Sequence, residues 1–149
     1  SGIIMKNVKL RNIGNDGIDI SGSKVTLHEI RLLEIGDKSI SIGESADVEI
    51  ININSKNSFL GLVSKDGSKT IASKIEFENV VIPFAAYRKK TSYDFGDLVV
   101  SKPIKLKKYK TKTLKDKNSK IMINGVEIKN FTKNHINIVY KKNLDLIDG

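Results

Sequence analysis

The chain contains no cysteine and no tryptophan, and only two of its 149 residues are proline. Without cysteine it can form neither a disulfide bridge nor a thiolate metal site. The missing tryptophan argues against a site for neutral sugars, which often rely on large aromatic platforms. No apolar run approaches the roughly twenty residues that cross a bilayer, so we expect no membrane span.

Acidic residues are also in short supply. The sequence has 26 Lys and Arg against 17 Asp and Glu, a formal net charge of +9. A basic surface attracts polyanions such as nucleic acid, anionic lipid or acidic polysaccharide. The length indicates one domain, residues 1–149. Ser1-Gly2 resembles the remnant of a cleaved tag and the chain opens inside a repeat, which suggests a fragment of a longer protein.

A short apolar pattern, Val-x-Leu-x-x-Ile, recurs along the chain. Its copies begin at Val8, Val25, Val48, Ile75 and Val126, and the residue before the last apolar position is usually Asn or Glu. Within a copy, apolar and polar residues alternate, which is typical of a half-buried strand. Repetition at roughly twenty residues indicates stacked supersecondary units.

A second alternating run follows each copy, as in Ile18–Ile20, Ile40–Ile42 and Ile136–Ile138. Gly, Asn, Asp and Ser occupy the joints between the runs, where they adopt turn conformations at little cost. Only Asn124-Gly125 has the form of a two-residue hairpin turn. These features predict an all-β chain, a right-handed parallel β-helix of about five rungs, with a β-sandwich or barrel as alternatives.

The spacing breaks after Lys90. We expect rungs over about 3–90 and 121–142, separated by a basic insertion at 91–120. Within it, residues 102–120 hold nine lysines and one acid, Asp116. A cap should close the C-terminal end, since an open solenoid end exposes apolar side chains and unpaired strand edges.

The stretch from Asn15-Asp-Gly-Ile-Asp-Ile-Ser-Gly-Ser to Lys89-Lys90 covers about half the chain and resembles the right-handed parallel β-helix superfamily of pectate-lyase-like proteins. The resemblance implies a C-terminal β-helix segment of a bacterial protein, extracellular or at the cell surface. Members of that superfamily are polysaccharide lyases, hydrolases or epimerases, and others are tail spikes or adhesins. The acidic calcium ladder and paired arginines of a pectate lyase are not evident here.

Charged residues cluster directly after the second run of each unit. On a β-helix such positions stack about 4.8 Å apart and would form one stripe. A lysine crowded by others could abstract a proton beside a uronate carboxylate, as in β-elimination or epimerisation. The predicted catalytic residues are Lys65, Asp66 and Lys89, and the predicted substrate-binding residues are Asp19, Glu44, Tyr87, Arg88 and Lys90.

Other interpretations of these residues stay open. The stripe could be a solvated salt-bridge ladder, in which each pair contributes about 0–1 kcal/mol. Glu44 and Asp66 could form a hydrolase pair. No cofactor is expected, although calcium could bind several acids at the corners. The acids in question are Asp16, Asp19, Asp37, Glu44 and Asp66, and nothing brings His28 and His135 together as metal ligands.

The leading hypothesis is recognition of an acidic polysaccharide, with its chemical modification left open. The first alternative is a structural solenoid, such as an adhesin, a tail-spike piece or a scaffold. The second is a nucleic-acid-binding module that uses the lysine run 102–120, which lacks the aromatic signature of an RNA-recognition sheet. The sequence also leaves oligomerisation open.

Overall fold

The computed structural model describes residues 2–147, which are mostly strand. The strands are β1 (Ile3–Ile13), β2 (Ile18–Ser21), β3 (Lys24–Gly43), β4 (Asp47–Lys65), β5 (Lys69–Tyr87), β6 (Asp97–Lys107), β7 (Thr113–Lys115), β8 (Lys120–Ile123) and β9 (Val126–Glu127). A short helix, α1 (His135–Lys141), and a 3-10 turn (Leu144–Ile147) follow them. None of the helices in this range is long and apolar enough to cross a membrane.

The strands pair in parallel, each with the strand of the next turn. Val25 of β3 lies between Ile3 of β1 and Val48 of β4, and Thr70 of β5 lies between Val48 and Leu98 of β6. The result is a right-handed parallel β-helix of about six turns, which confirms the predicted fold class. The exception among the described strands is the antiparallel pair β8 and β9, joined at Asn124-Gly125, the predicted hairpin turn.

Copies of the repeat lie on two different sides of the coil, which the sequence analysis did not resolve. The copy that begins at Val8 pairs through Val8 with Ile30, not with Val25. In β3, Val25, Leu27 and Ile30 supply one side of the coil, and Ile30, Leu32 and Ile35 supply the next. Copies that look equivalent in sequence therefore lie on two different sides of the solenoid.

The bends between these sides require left-handed backbone. Residues with positive φ form two columns, one of Asn7, Glu29, Asn52 and Lys74 and the other of Asn12, Glu34, Asn57, Asn79 and Lys108. Asparagine tolerates this conformation better than most residues. Asn57 donates to Glu34 Oε1 at 2.8 Å, and Asn79 donates to Asn57 Oδ1 at 2.9 Å, so the bends also pair from turn to turn.

The interior is a stack of inward side chains. Leu27 and Ile50 are fully buried and neighbour each other in register. Buried serines in the coil bond to one another: Ser39 Oγ lies 2.7 Å from Ser55 Oγ and 2.8 Å from Ser58 Oγ. Burial of hydroxyls is inexpensive when they are hydrogen-bonded in this way.

The prediction of an insertion at 91–120 is wrong for most of this range, because most of these residues belong to the coil. Strand β6 pairs with β5 through Leu98, and β7 pairs with β5 through Thr113, so residues 97–115 form a further turn of the coil. Lysine at outward positions of a strand is compatible with the fold as long as inward positions such as Leu98 and Val100 stay apolar. A loop at 88–96 is the part that leaves the coil.

The last predicted unit, 121–142, is only partly a rung. Strand β8 continues the solenoid by pairing with β6. Val126 begins the last copy of the motif, but it is 64% exposed in the β8–β9 hairpin. The predicted strand Ile136–Ile138 lies in helix α1. Three residues of alternation were too few to distinguish a strand from a helix.

Helix α1 covers the outer face of the side of the coil that is formed by the last residues of β4 and β5. Ile138 and Val139 pack against Val63 and Ala85, which point outward from β4 and β5 and are nonetheless fully buried. A second apolar cluster therefore lies outside the sheet, separate from the interior stack. This packing also carries Tyr140, at the end of the helix, onto the corner where β4 and β5 end.

Candidate functional site

The strand ends that the sequence placed at one corner lie side by side. Ser21 pairs with Gly43, and Lys65 pairs with Tyr87. Because the pairing is parallel, the segments that follow these strands emerge at the same corner of the coil. The eight predicted site residues lie within three residues of these strand ends: Asp19, Glu44, Lys65, Asp66, Tyr87, Arg88, Lys89 and Lys90.

Glu44 and Lys90 form an ion pair across this corner. Lys90 Nζ donates to Glu44 Oε1 at 2.6 Å, and the two side chains remain 49% and 37% exposed. The hydrogen bond from Lys90 lowers the pKa of Glu44, and Glu44 raises the pKa of Lys90. An exposed pair of this kind contributes little stability, as the salt-bridge-ladder interpretation expects.

Asp66 is fully buried and holds the chain that follows β5. Its Oδ1 accepts the backbone N–H groups of Lys89 at 2.7 Å and of Lys90 at 2.8 Å. Its Oδ2 has no partner in the described structure. The predicted catalytic carboxylate thus positions Lys89 and Lys90, while one of its oxygens is left without a hydrogen-bond donor.

Three lysine side chains surround the ring of Tyr140, and we call Lys38, Lys65 and Lys89 the lysine cluster. Their Nζ atoms lie 4.9, 5.9 and 4.1 Å from the ring centroid. Cations at this distance are attracted by the negative face of an aromatic ring. Two members, Lys65 and Lys89, were predicted from the sequence as site residues, and the structure brings them together from the ends of β4 and β5.

Sequence reasoning missed Lys38, the innermost member of the lysine cluster. Its side chain is 4% exposed, and Nζ lies 3.1 Å from Asp37 Oδ2 and 3.9 Å from Asp16 Oδ1. A buried charge requires such partners. Little in the sequence indicated this burial. Gly36-Asp37 predicted a corner, and no pattern distinguished the adjacent lysine from an exposed one.

Burial and crowding shift the acidity of the lysine cluster. Burial, and then the charge of Lys38, lower the pKa of Lys65. Burial also raises the pKa of Asp16, although the ammonium group of Lys38 opposes that change. The lowered pKa makes Lys65 a better proton acceptor than an ordinary exposed lysine, as the sequence argument expected of a crowded lysine.

Tyr87, a predicted substrate-binding residue, is fully buried beneath helix α1. Its hydroxyl lies 2.8 Å from that of Tyr140, and the two rings meet edge to face. The ring of His135 also packs on Tyr87, and His135 Nε2 lies 3.2 Å from the carbonyl oxygen of Arg88. Tyr87 therefore anchors the helix and cannot contact a polymer at the surface directly.

The two remaining predicted residues lie at the margins of the corner. Asp19 is exposed on β2. The guanidinium group of Arg88 stacks 4.2 Å from the ring centroid of Phe95, and its backbone N–H donates to Asp116 Oδ2 at 2.8 Å. Arg88 is thus held in the loop that follows β5, with its side chain partly accessible.

Removal of the Tyr140 hydroxyl is expected to alter the alkaline stability of the protein. Burial raises the pKa of Tyr140 from its ordinary value of 10.0 to about 12. A raised pKa favours the folded state fully below pH 10, and this contribution is lost as the pH rises toward 12, since the unfolded state ionises first. The melting temperature should fall less between pH 9 and pH 11 for Tyr140→Phe than for the unmodified protein. An identical fall in both would contradict the burial of the phenol.

Buried polar side-chain atoms without a partner concentrate at this corner. Within residues 2–147 they are Asp37 Oδ1, Ser41 Oγ, Asp66 Oδ2 and His135 Nδ1. Folded proteins rarely leave such atoms unpaired, so each needs an explanation. Two are carboxylate oxygens beside the lysine cluster, Asp37 Oδ1 and Asp66 Oδ2, and both are buried away from solvent. The calcium hypothesis finds no geometric support, since no three His, Asp or Glu side chains of the described range gather as ligands.

The net positive charge lies elsewhere on the chain. Residues 1–96 contain thirteen Lys and Arg against twelve Asp and Glu, whereas residues 97–149 contain thirteen against five. On β6 the side chains of Lys102, Lys105 and Lys107 are exposed on the surface of an ordered turn. A second surface suited to polyanions therefore extends over the last turn.

Comparison with protein-family models, with curated proteins and with solved structures finds no match for this chain.

Proposed function

We propose that this β-helix recognises an acidic polysaccharide at the corner where β4 and β5 end, and that it belongs among the pectate-lyase-like proteins of bacterial surfaces or secretions. The observation that carries the proposal is the lysine cluster, in which Lys65 and Lys89 reach the surface of the corner beside the ring of Tyr140. A uronate residue offers a carboxylate to ammonium groups, and Lys65 and Lys89 provide two such groups at one corner.

The same geometry favours one role for each predicted residue. Lys65 and Lys89 would bind the uronate carboxylate, and Lys65, with its lowered pKa, would be the base if the polymer is modified. Asp66 would position Lys89 by holding its backbone N–H. Tyr87 would act only through Tyr140, to which it is hydrogen-bonded.

Replacement of Lys65 and Lys89 by alanine is expected to weaken binding of a polyuronate by tenfold or more, since two charge-assisted contacts are lost at once. The matched control is Lys6→Ala with Lys9→Ala, which removes the same charge from exposed positions on β1, away from this corner. Binding is measured by calorimetry at two salt concentrations, after thermal melts have shown that both variants fold. Equal affinity of the two double variants would refute the corner as the binding site.

Three further observations separate the alternatives. A rise in ultraviolet absorbance from unsaturated uronates would establish a lyase. A folded protein that binds no acidic polymer would favour a structural solenoid. Tighter, salt-sensitive binding of an oligonucleotide that is lost in Lys105→Gln with Lys107→Gln would favour nucleic acid, because these lysines lie on the basic last turn.

A further inference from the structure

Two clefts meet on either side of Phe131, next to the last turn of the coil. The first has a volume of about 290 Å³ and lies between β7 and the C-terminal segment, with Thr113 and Ile138 in its wall. The second has a volume of about 590 Å³ and borders β8. Both include Lys115 and Phe131 in their walls, so these two side chains form the partition between them. The volumes lie near or within the range of small-molecule sites, roughly 300–1,000 Å³.

Lys115 is an ammonium group set into this partition. The residue is only 4% exposed, and Nζ donates to the carbonyl oxygens of Asp116 at 2.9 Å and of Lys117 at 3.4 Å. An ammonium group has three N–H donors, so two carbonyl partners leave one donor available. Among the described residues, 2–147, no carboxylate forms an ion pair with this group, in contrast to Lys38, although the charges of Asp116 and Glu127 act on it. An anionic ligand would accept the remaining N–H.

Phe131 gives the partition an apolar face. Its side chain is 45% exposed, and its ring centroid lies 5.9 Å from Lys115 Nζ. The wall of the second cleft is strongly basic, with four lysines and one acid, namely Lys115, Lys117, Lys120, Lys129 and Glu127. Neutral hydrogen-bonding side chains line the first cleft, among them Thr111, Thr132 and Asn130.

We infer that the clefts beside Phe131 form a second site, which binds one uronate residue of the acidic polysaccharide. The C–H face of the sugar ring would pack on Phe131, its carboxylate would meet Lys115 and the neighbouring lysines, and its hydroxyls would bond to the threonines. The inference rests on the proposed function and adds a subsite to it. Helix α1 lies between the two sites, because its Ile138 lines the first cleft and its Tyr140 is surrounded by the lysine cluster.

The test is a titration of the full chain with a short uronic acid oligosaccharide, followed by backbone amide shifts in nuclear magnetic resonance spectra. Shifts are expected at 111–115 and 130–132. Phe131→Ala should weaken binding about three- to tenfold, which corresponds to about 0.7–1.4 kcal/mol, because the sugar ring loses its apolar platform. The matched control is Tyr109→Ala, an aromatic residue of similar exposure, 47%, in the same basic turn but outside the clefts.

These outcomes distinguish a failure of this inference alone from a failure of the proposed function. One outcome is that binding of the polymer requires Lys65 and Lys89 while Phe131→Ala binds the oligosaccharide with unchanged affinity. That result would refute the second site and leave the corner site in place. Equal losses in Phe131→Ala and Tyr109→Ala would also refute it, because the effect would then belong to the whole basic turn. If neither the polymer nor the oligosaccharide binds, both proposals fail together.

Discussion

Replacement of Ile50 by aspartate is expected to prevent the protein from folding. Ile50 is fully buried, and its register partners on the neighbouring turns are Leu27 and Ala72. The substitution removes an apolar side chain and inserts an unpaired carboxylate into the interior stack, a change that costs more than about 4 kcal/mol. A domain stable by only about 5–15 kcal/mol does not tolerate that loss easily. Circular dichroism and thermal melts should show no cooperative transition near that of the unmodified protein.

The control for this experiment is Lys112→Ala, since Lys112 is exposed between β6 and β7. A surface substitution of this kind is expected to change the free energy of unfolding by less than about 0.5 kcal/mol. Similar melting of Ile50→Asp and Lys112→Ala would show that the assignment of inward and outward side chains is wrong.

The second large effect is expected from Gly61→Ala in β4. A Cβ atom at Gly61 would lie 2.4 Å from the carbonyl oxygen of Pro83 and 2.5 Å from Cε2 of Phe77. Neither neighbour can retreat freely, since Pro83 belongs to the adjacent turn and Phe77 is a buried ring of the interior stack. Overpacking of this kind costs about 1–3 kcal/mol, and more where backbone must move. Chemical denaturation should show a lower midpoint with an unchanged slope.

The matched control is Gly14→Ala. No heavy atom lies within 4 Å of a Cβ built at Gly14, and its backbone is outside the left-handed region. Alanine at such a position leaves stability unchanged or raises it by up to about 1 kcal/mol, since the unfolded chain loses conformational freedom. A loss at Gly14 as large as that at Gly61 would mean that close contact between turns does not explain the effect.

Particular residues show why the fold could be predicted and the turns could not be counted. Alternation in Val25–Leu27 and Val48–Ile50 reflects inward and outward positions directly, because successive strand residues face opposite sides. Leu98-Val99-Val100 is a continuous apolar run without that alternation, and the lysines that follow it suggested an insertion. Only the pairing of Leu98 with Thr70 shows that this segment is a turn of the coil.

The candidate site was predictable to the level of its corner and not to the level of its contacts. The positions of Lys65 and Lys89 after strand ends indicated that they lie near each other. Three further features depend on where helix α1 packs. They are the burial of Lys38, the burial of Tyr87, and the contacts of Lys65 and Lys89 with Tyr140. No local pattern specifies that packing, because it joins residues far apart in the chain.

The sequence by itself determined that the chain coils into stacked parallel strands, since the two-residue period and the turn residues are local properties that every rung repeats. It also determined that the protein is basic. The tertiary structure decided which turns are neighbours, which charges are buried and which aromatic ring the lysines of the corner surround. The contacts of the lysines with Tyr140 arise from the docking of a seven-residue helix on the outside of the coil, where the favourable term is burial of apolar surface between distant segments.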